Sequence, residues 1–190
     1  MKSWELRRAA ASVEAGGVVA YPTEAVFGLG CDPLDERAVL RLLALKRRPW
    51  SKGLILVAAA WRQFLPYLRR SDSAMRARLR ATWPGPVTWV VPAGRETPEW
   101  IRGRHAGVAL RVSAHPCIRA LCLRTGPLVS TSANPRRCPP ALTARRVRAY
   151  FGDRLDYLLA GALGQLSAPT EIREAASGAV LRGSPRGAAA

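Results

Sequence analysis

Hydrophobic and polar positions follow two periods along this chain, and the period predicts the type of each element. Apolar residues spaced three and four apart predict amphipathic helices, whereas short continuous apolar runs between turn residues predict buried strands. Ser3, Asp35 and Thr143 each precede an apolar stripe and are predicted N-cap residues. The predicted helices span residues 3–15, 36–46, 61–68, 73–81, 116–124 and 144–151.

The predicted strands alternate with these helices, which is typical of an α/β fold. They span residues 18–21, 53–58, 87–91, 108–112, 128–131, 157–159, 170–173 and 179–182. We expect one domain over residues 1–190, built on a twisted mixed sheet flanked by helices, with its core at about 5–183. Residues 92–107, rich in Gly, Pro and charge, are expected to form an exposed loop, and residues 184–190 a disordered tail.

The charge of the chain is its most unusual property. Hydrophobic residues make up 48% and charged residues 23%, as in ordinary globular proteins, but the formal net charge is +17. A field of this sign attracts nucleotides, RNA and anionic surfaces. Of the 30 basic residues 27 are Arg. A GC-rich genome also produces this bias at tolerant surface positions, so codon usage is an alternative source of part of the charge.

The cysteine content and the hydropathy of the chain indicate the cellular compartment in which it is expected. The 4 cysteines form no C-x-x-C pair and the chain has 2 histidines, so a structural zinc site is not expected. Scattered thiols fit a reducing cytosol. No apolar segment follows the N-terminal residues as in a signal peptide, and the longest apolar run, residues 54–61, is too short to span a bilayer. We expect a cytoplasmic, soluble protein.

A basic turn follows the second predicted helix. Lys46, Arg47, Arg48 and Lys52 lie within seven residues, immediately before a buried strand. Pro49 disfavours the α conformation in the residue before it, so the helix is expected to end near Lys46. Arg side chains bind phosphate as planar forks and Lys side chains as point charges, so the turn suits a polyphosphate. A solvated basic turn without a ligand is the equal alternative.

Two further polar clusters also follow predicted strands. They are Thr23-Glu24 and the run from Ser130 to Asn134. Ligands of open α/β sheets bind beyond strand ends, so the three clusters could line one cleft, although hydroxyl-rich turns more often bond their own backbone. Arg111 ends an apolar strand and requires a carboxylate partner, either from a ligand or from an internal Asp or Glu. No complete Rossmann or P-loop motif is present, and no catalytic role is assigned to the histidines.

Five motifs in register identify a resemblance. They occupy residues 21–30 (YPTEAVFGLG), 46–53 (KRRPWSKG), 83–88 (WPGPVT), 109–112 (ALRV) and 130–134 (STSAN). In this order they resemble the threonylcarbamoyl-AMP synthases, whose YrdC-like domain this chain matches from about residue 18 to 182 in the short single-domain form. The resemblance implies a twisted α/β domain with a large basic cleft.

The resemblance also implies an activity. The family condenses L-threonine, bicarbonate or CO2, and ATP into threonylcarbamoyl-AMP and pyrophosphate, which is a nucleotidyl transfer. The product leads to N6-threonylcarbamoyladenosine at position 37 of ANN-decoding tRNAs. The implied partners are therefore the three substrates and a downstream tRNA threonylcarbamoyl-transfer complex, with tRNA or double-stranded RNA contact through the basic surface and no membrane.

By similarity, each polar cluster receives a role. Lys46, Arg48 and Lys52 are expected to hold the triphosphate and carry catalysis, with Mg2+ bridging phosphates and no metal ligand from protein side chains. Threonine is expected to contact Thr23, Arg111 and Thr170. The nucleotide is expected to contact Ser130, Ser132, Asn134 and Arg182 as well.

The chain departs from the family pattern at two places, and two alternative functions remain open. Residues 135–138 read Pro-Arg-Arg-Cys where relatives often carry small residues, and the chain ends soon after Arg182, without the C-terminal extension of the long form. One rival is a nucleic-acid-binding module without catalysis, whose binding would fall steeply with salt. The other is a carbamoyl-adenylate enzyme of hydrogenase maturation, which would require further domains and zinc-finger cysteines.

Overall fold

The computed structural model describes residues 2–68, 72–166 and 170–183. It confirms an α/β fold. The α-helices are α1 Ser3–Glu14, α2 Glu36–Lys46, α3 Ser73–Thr82, α4 Glu99–Arg102, α5 Pro116–Thr125 and α6 Ala144–Phe151. The strands are β1 Val19–Pro22, β2 Phe27–Gly30, β3 Ile55–Ala58, β4 Val87–Pro92, β5 Gly107–Val112, β6 Leu128–Ser132, β7 Tyr157–Leu158, β8 Glu171–Glu174 and β9 Val180–Arg182.

Within the described residues, these strands form one mixed sheet in the order β7-β1-β2-β6-β3-β5-β4-β8-β9. The pairs β7/β1, β3/β5 and β4/β8 are parallel, and the other neighbours are antiparallel. The eight predicted strands are confirmed within two residues at each end. The sequence interpretation missed β2, because Gly28 and Gly30 weaken the strand pattern. Gly30 is needed there, since a Cβ atom would lie 2.5 Å from the Val129 carbonyl oxygen.

Both faces of the sheet are covered by helices. On one face, α2, α3 and α6 bury their apolar stripes against residues such as Leu56 and Leu110. On the other face, α1 and α5 pack against Val57 and Leu128. Adjacent strand residues point to opposite faces, so Leu56 and Val57 belong to different cores. The central strand β3 is therefore buried on both sides, as its unbroken apolar run predicts.

Cap chemistry sets the helix bounds. Asp35 accepts a hydrogen bond from the Ala38 backbone nitrogen at 3.0 Å and confirms the predicted N-cap of α2. Ser3 is not a cap but the first helical residue, with Lys2 in the N-cap position. The segment Trp61–Tyr67 is a 3-10 helix rather than an α-helix and contains Pro66, which has no backbone N–H to donate.

The predicted exposed loop at residues 92–107 is wrong in part. It contains α4, whose Ile101 is fully buried. Four residues are too few to show a helical period, which explains the miss. The Leu54 nitrogen donates to the Ile101 carbonyl at 2.8 Å, so α4 supports the basic turn. Gly53 and Gly103 meet at this contact; a Cβ on Gly103 would lie 2.5 Å from the Gly53 nitrogen.

Two further predictions concern the C-terminal tail and the absence of a membrane-spanning segment. The predicted tail at 184–190 lies outside the described residues, and the domain bounds stay a prediction. Among the described segments, no helix is both long enough and apolar enough to cross a bilayer.

We expect Asp35→Ala to lower the free energy of unfolding by about 1 kcal/mol, because α2 loses its N-cap bond. Urea unfolding followed by circular dichroism measures this. Glu36→Ala removes the same charge from the next residue but leaves the cap, so its loss should be smaller. Equal losses in the two variants would show that charge, and not the cap, is responsible.

Candidate functional site

Two adjoining pockets open beside the strand ends at β6. The basic pocket has a volume of about 140 Å3 and is lined by Lys46, Arg47, Arg48, Pro49, Lys52, Ser132, Asn134, Pro135 and Arg136. The hydroxyl pocket has a volume of about 170 Å3 and is lined by Thr23, Ala25, Val26, Gly28, Ile55, Arg111, Ser130, Thr131, Ser132, Pro140, Thr170 and Arg182. Ser132 belongs to both. The structure thus brings every predicted site residue to one cleft.

The C-terminus of α2 shapes the basic turn. Arg47 adopts the left-handed conformation (φ 51°, ψ 43°), and the nitrogens of Arg47 and Arg48 donate to the carbonyls of Ala44 and Leu43. This Schellman motif ends the helix and turns the chain toward the cleft. Arg48 is half-buried and its Nη2 donates to the Gly53 carbonyl at 2.9 Å, while its buried Nε has no partner among the described residues. Lys52 is exposed.

Lys46 differs from the expected free phosphate ligand. It is buried, and its ammonium donates to the Ser132 carbonyl, to the Asn134 carbonyl at 2.9 Å and to Asn134 Oδ1 at 3.3 Å. Three N–H groups therefore meet three acceptors of one loop. Burial, with a smaller contribution from Arg48, lowers the pKa of Lys46 to about 8. Its charge lies in the wall of the basic pocket, but its hydrogen bonds hold the wall together.

The Ser132–Asn134 loop is satisfied by its own contacts. The Ser132 hydroxyl donates to Asn134 Oδ1 at 2.6 Å, and Asn134 Nδ2 donates to the Cys138 carbonyl at 2.6 Å. The alternative that this cluster bonds its own chain is thus correct for Asn134. The departure at residues 135–138 closes the same loop, because the Arg136 nitrogen donates to the Lys46 carbonyl at 2.9 Å.

Arg111 has an internal carboxylate partner. Its Nη1 lies 2.9 Å from Glu24 Oε2, and both side chains are about nine-tenths buried. Ser113 donates to the other Glu24 oxygen at 2.6 Å. Burial works to raise the pKa of Glu24, but Arg111 and the hydrogen bond from Ser113 outweigh it and hold this pKa below its usual value. Arg111 still lines the hydroxyl pocket, and its Nε has no partner among the described residues. The carboxylate partner of Arg111 is thus an internal residue, and Arg111 is still placed in the pocket wall where a ligand can meet it.

Other residues of the hydroxyl pocket are partly engaged. The Thr23 hydroxyl donates to the Val26 carbonyl at 2.7 Å, so toward a ligand it can act only as an acceptor. Arg182 donates to the Thr170 carbonyl at 3.0 Å. Burial, and after it the repulsion of Arg111, lowers the pKa of Arg182. The cations of the cleft repel one another, which favours an anionic ligand between them.

Sequence reasoning missed three contributors. Glu24 was grouped with Thr23 as a polar cluster but received no role, although the carboxylate that Arg111 requires was a usable signal. Arg136 lines the basic pocket without any motif to indicate it. The support from α4 through Gly53 joins segments far apart in sequence. No group of metal-ligating His, Cys, Asp or Glu exists in the described part of the chain.

The fold and the cleft define a class of α/β ligand-binding domains, and a family model identifies it. The model of the Sua5/YciO/YrdC family, described as telomere recombination, matches residues 11–184. The chain therefore belongs to this family, which confirms the resemblance found in its motifs.

Individual relatives are similar over nearly the whole chain. The threonylcarbamoyl-AMP synthase of Stutzerimonas stutzeri (strain A1501) is 55% identical over 179 residues, which cover 94% of this chain and 97% of the relative. That of Halorhodospira halophila (strain DSM 244 / SL1) is 52% identical and covers 95% of both. The crystal structure of P. abyssi Sua5 complexed with L-threonine superposes with a TM-score of 0.90 at 29% identity, covering 97% of this chain and 55% of Sua5.

We expect the affinity for ATP to fall as the pH rises from 7.5 to 9.5, because Lys46, with a pKa of about 8, loses its charge there. The charge of ATP is nearly constant in this range, since its terminal phosphate has a pKa of about 6. Lys46→Met should bind ATP more weakly at pH 7.5 and lack this fall. Calorimetric titration of both proteins measures this fall, and identical pH profiles would contradict a contribution of the Lys46 charge to ATP binding.

Proposed function

We propose that this protein condenses L-threonine, bicarbonate or CO2, and ATP into threonylcarbamoyl-AMP and pyrophosphate, the activity of an L-threonylcarbamoyladenylate synthase. The product would serve the formation of N6-threonylcarbamoyladenosine in tRNA. The observation that carries the proposal is the junction of the basic and hydroxyl pockets at Ser132. The curated relatives, which bear the name of this enzyme over nearly their full length, support it and place the chain among the transferases.

ATP fits the basic pocket by charge. The Lys46 ammonium, the Arg48 guanidinium and the exposed Lys52 surround one end of the cleft. We assign Arg48 and Lys52 to direct contacts with the triphosphate. Lys46, whose N–H groups are engaged by the loop, contributes its positive charge from the pocket wall. Ser132, with Ser130 and Asn134 beside it, would then face the adenylate, whose α-phosphorus must lie near the point where the two pockets meet.

Threonine fits the hydroxyl pocket. A carboxylate in this pocket would meet Arg111, which lines it and whose bond to Glu24 uses one N–H group of the guanidinium. Thr23 can accept a hydrogen bond from the amine or the hydroxyl of the substrate, because its own proton is used on Val26. Thr170 and Arg182 line the same pocket and would close it over the substrate.

The proposed reaction has two bond-forming steps. The amine of threonine loses a proton and attacks the carbon of CO2, which gives a carbamate. A carbamate oxygen then attacks the α-phosphorus of ATP, and pyrophosphate leaves with the electron pair of the broken P–O bond. The chain's contribution is to place the three reactants in line and to neutralise charge on the phosphates, so no covalent nucleophile is required.

A Mg2+ ion is compatible with this cleft only as a companion of the nucleotide. Neither pocket is lined by a described carboxylate, so the phosphate oxygens and water would supply its ligands. It would add positive charge at the phosphates. Positioning by Arg48 and Lys52 does not depend on it.

The product implies its consumer. A carbamoyl–phosphate mixed anhydride is an activated group, and an enzyme that transfers the carbamoyl group to an amine of tRNA must take it up. We infer a cytoplasmic setting and contact with this tRNA-modifying machinery. The +17 charge supports approach to RNA by general attraction.

The function is tested by mixing protein, ATP, Mg2+ and bicarbonate with each amino acid in turn and measuring pyrophosphate. We expect release that depends on threonine, together with threonylcarbamoyl-AMP in the mass spectrum. Release with carbamoyl phosphate in place of threonine would favour a hydrogenase-maturation chemistry. Salt-sensitive RNA binding without any ATP- and threonine-dependent release would favour a binding module.

We expect Arg48→Ala and Lys52→Ala each to reduce ATP-dependent pyrophosphate release roughly ten- to hundredfold while leaving the unfolding transition nearly unchanged, since each would remove a charged contact to phosphate worth roughly 1.5–3 kcal/mol from the bound and transition states. Arg7→Ala, in α1 and outside both pockets, is the matched loss of charge and should keep activity. Full activity in both cleft variants would refute the assigned role.

A further inference from the structure

The two ends of the cleft must separate two kinds of ligand. The described residues that line the two pockets include seven cationic side chains and no acidic one. Five of the cations line the basic pocket (Lys46, Arg47, Arg48, Lys52 and Arg136), and two line the hydroxyl pocket (Arg111 and Arg182). A polyphosphate is attracted to every cation within reach, whereas a zwitterionic amino acid has no net charge and is attracted weakly. Without a negative charge near the hydroxyl pocket, phosphate groups would be attracted to both pockets.

Glu24 is the acidic group at the amino-acid end. It lies directly behind the hydroxyl pocket, adjacent in sequence to the lining residue Thr23, and its Oε2 is 2.9 Å from Arg111 Nη1. At this distance an ionised carboxylate offsets most of the guanidinium charge as seen by a ligand. No such carboxylate contacts the described side chains of Lys46 and Arg48, whose acceptors are carbonyl and amide oxygens.

The carboxylate is held in place from several sides. Ser113 donates to Oε1 at 2.6 Å, and the Ser113 hydroxyl in turn accepts from the His115 backbone nitrogen at 3.0 Å. The backbone carbonyl of Glu24 accepts from the Leu166 nitrogen at 3.0 Å. Burial lowers the pKa of the His115 ring, which disfavours a positive charge on this neighbour. The Glu24 side chain therefore cannot rotate away from Arg111 without also breaking the hydrogen bond from Ser113.

We propose that Glu24 is a specificity-determining residue: by pairing with Arg111 it reserves the hydroxyl pocket for a zwitterionic amino acid and directs phosphate groups to the basic pocket. This inference rests on the proposed function. Arg111 keeps donors for the carboxylate of the amino acid, and the nearby negative charge of Glu24 favours the ammonium group. The same charge disfavours a phosphate, which has no cationic part.

The test uses inorganic phosphate as the probe, with formation of threonylcarbamoyl-AMP from labelled bicarbonate as the readout. In the wild-type protein, phosphate should compete with ATP and not with threonine. In Glu24→Gln, which keeps the shape and the acceptor for Ser113, the KM for threonine should rise about tenfold, as expected for a lost charge-assisted contact. Phosphate should now compete with threonine, and the KM for ATP should stay within about twofold.

Two variants separate charge from structure. Ser113→Ala loosens Glu24 but keeps its charge, so the KM for threonine should rise without competition from phosphate. Arg111→Ala removes the anion site itself, so threonine should bind far more weakly and phosphate should again not compete with it. Among the three variants, only Glu24→Gln is expected to gain competition between phosphate and threonine. A purely structural role of Glu24 would not produce this gain.

Three results would overturn the inference. They are an unchanged inhibition pattern in Glu24→Gln, a uniform loss of kcat in that variant without a change in pattern, and competition between phosphate and threonine in the wild-type protein. The last measurement decides the matter even if Glu24→Gln does not fold. A wild-type protein that forms product with ATP but without any dependence on threonine would instead refute the proposed function.

Discussion

The cleft depends on one buried ammonium group. Lys46 ends α2, and its three N–H groups bond to the loop that follows β6, so a helix from one part of the chain is fixed to a strand end 86 residues later. Burial of this charge is costly, and only three well-placed acceptors make it tolerable. Because Arg48 and Lys52 follow on the same turn and Ser132 lies on the same loop, the position of both cleft walls follows from this contact.

A second constraint is the distribution of charge between the two ends of the cleft. At one end, cations lie close together and are bonded only to neutral oxygens, so their charge is available to phosphates. At the other end, Arg111 is paired with Glu24 and is nearly neutral as a unit, so Arg182 is the remaining cation among the described lining residues there. One continuous hollow can then hold a polyanion and a zwitterion side by side, in the order that a transfer between them requires.

Much of this architecture could be predicted from the sequence, and what was missed has physical reasons. Apolar runs and cap residues indicated five of the helices (α1, α2, α3, α5 and α6) and eight strands, because their information is local. The strand β2 was hidden by Gly28 and Gly30, and α4 was too short to show a period. At the site, the motifs indicated which residues gather. They could not show that Lys46 is used within the wall or that Glu24 is the partner of Arg111, because both facts depend on contacts between distant segments.

The contact between Gly53 and Gly103 has a consequence for how this protein can fail. Both residues have positive φ values (61° and 65°), and a methyl group on Gly103 would overlap the backbone of the basic turn. A mutation there would displace Arg48 and Lys52 together without altering either of them. A substitution at Gly103 contacts no ligand and leaves the hydrophobic core intact. It can nevertheless inactivate the enzyme, because it shifts the backbone of the basic turn.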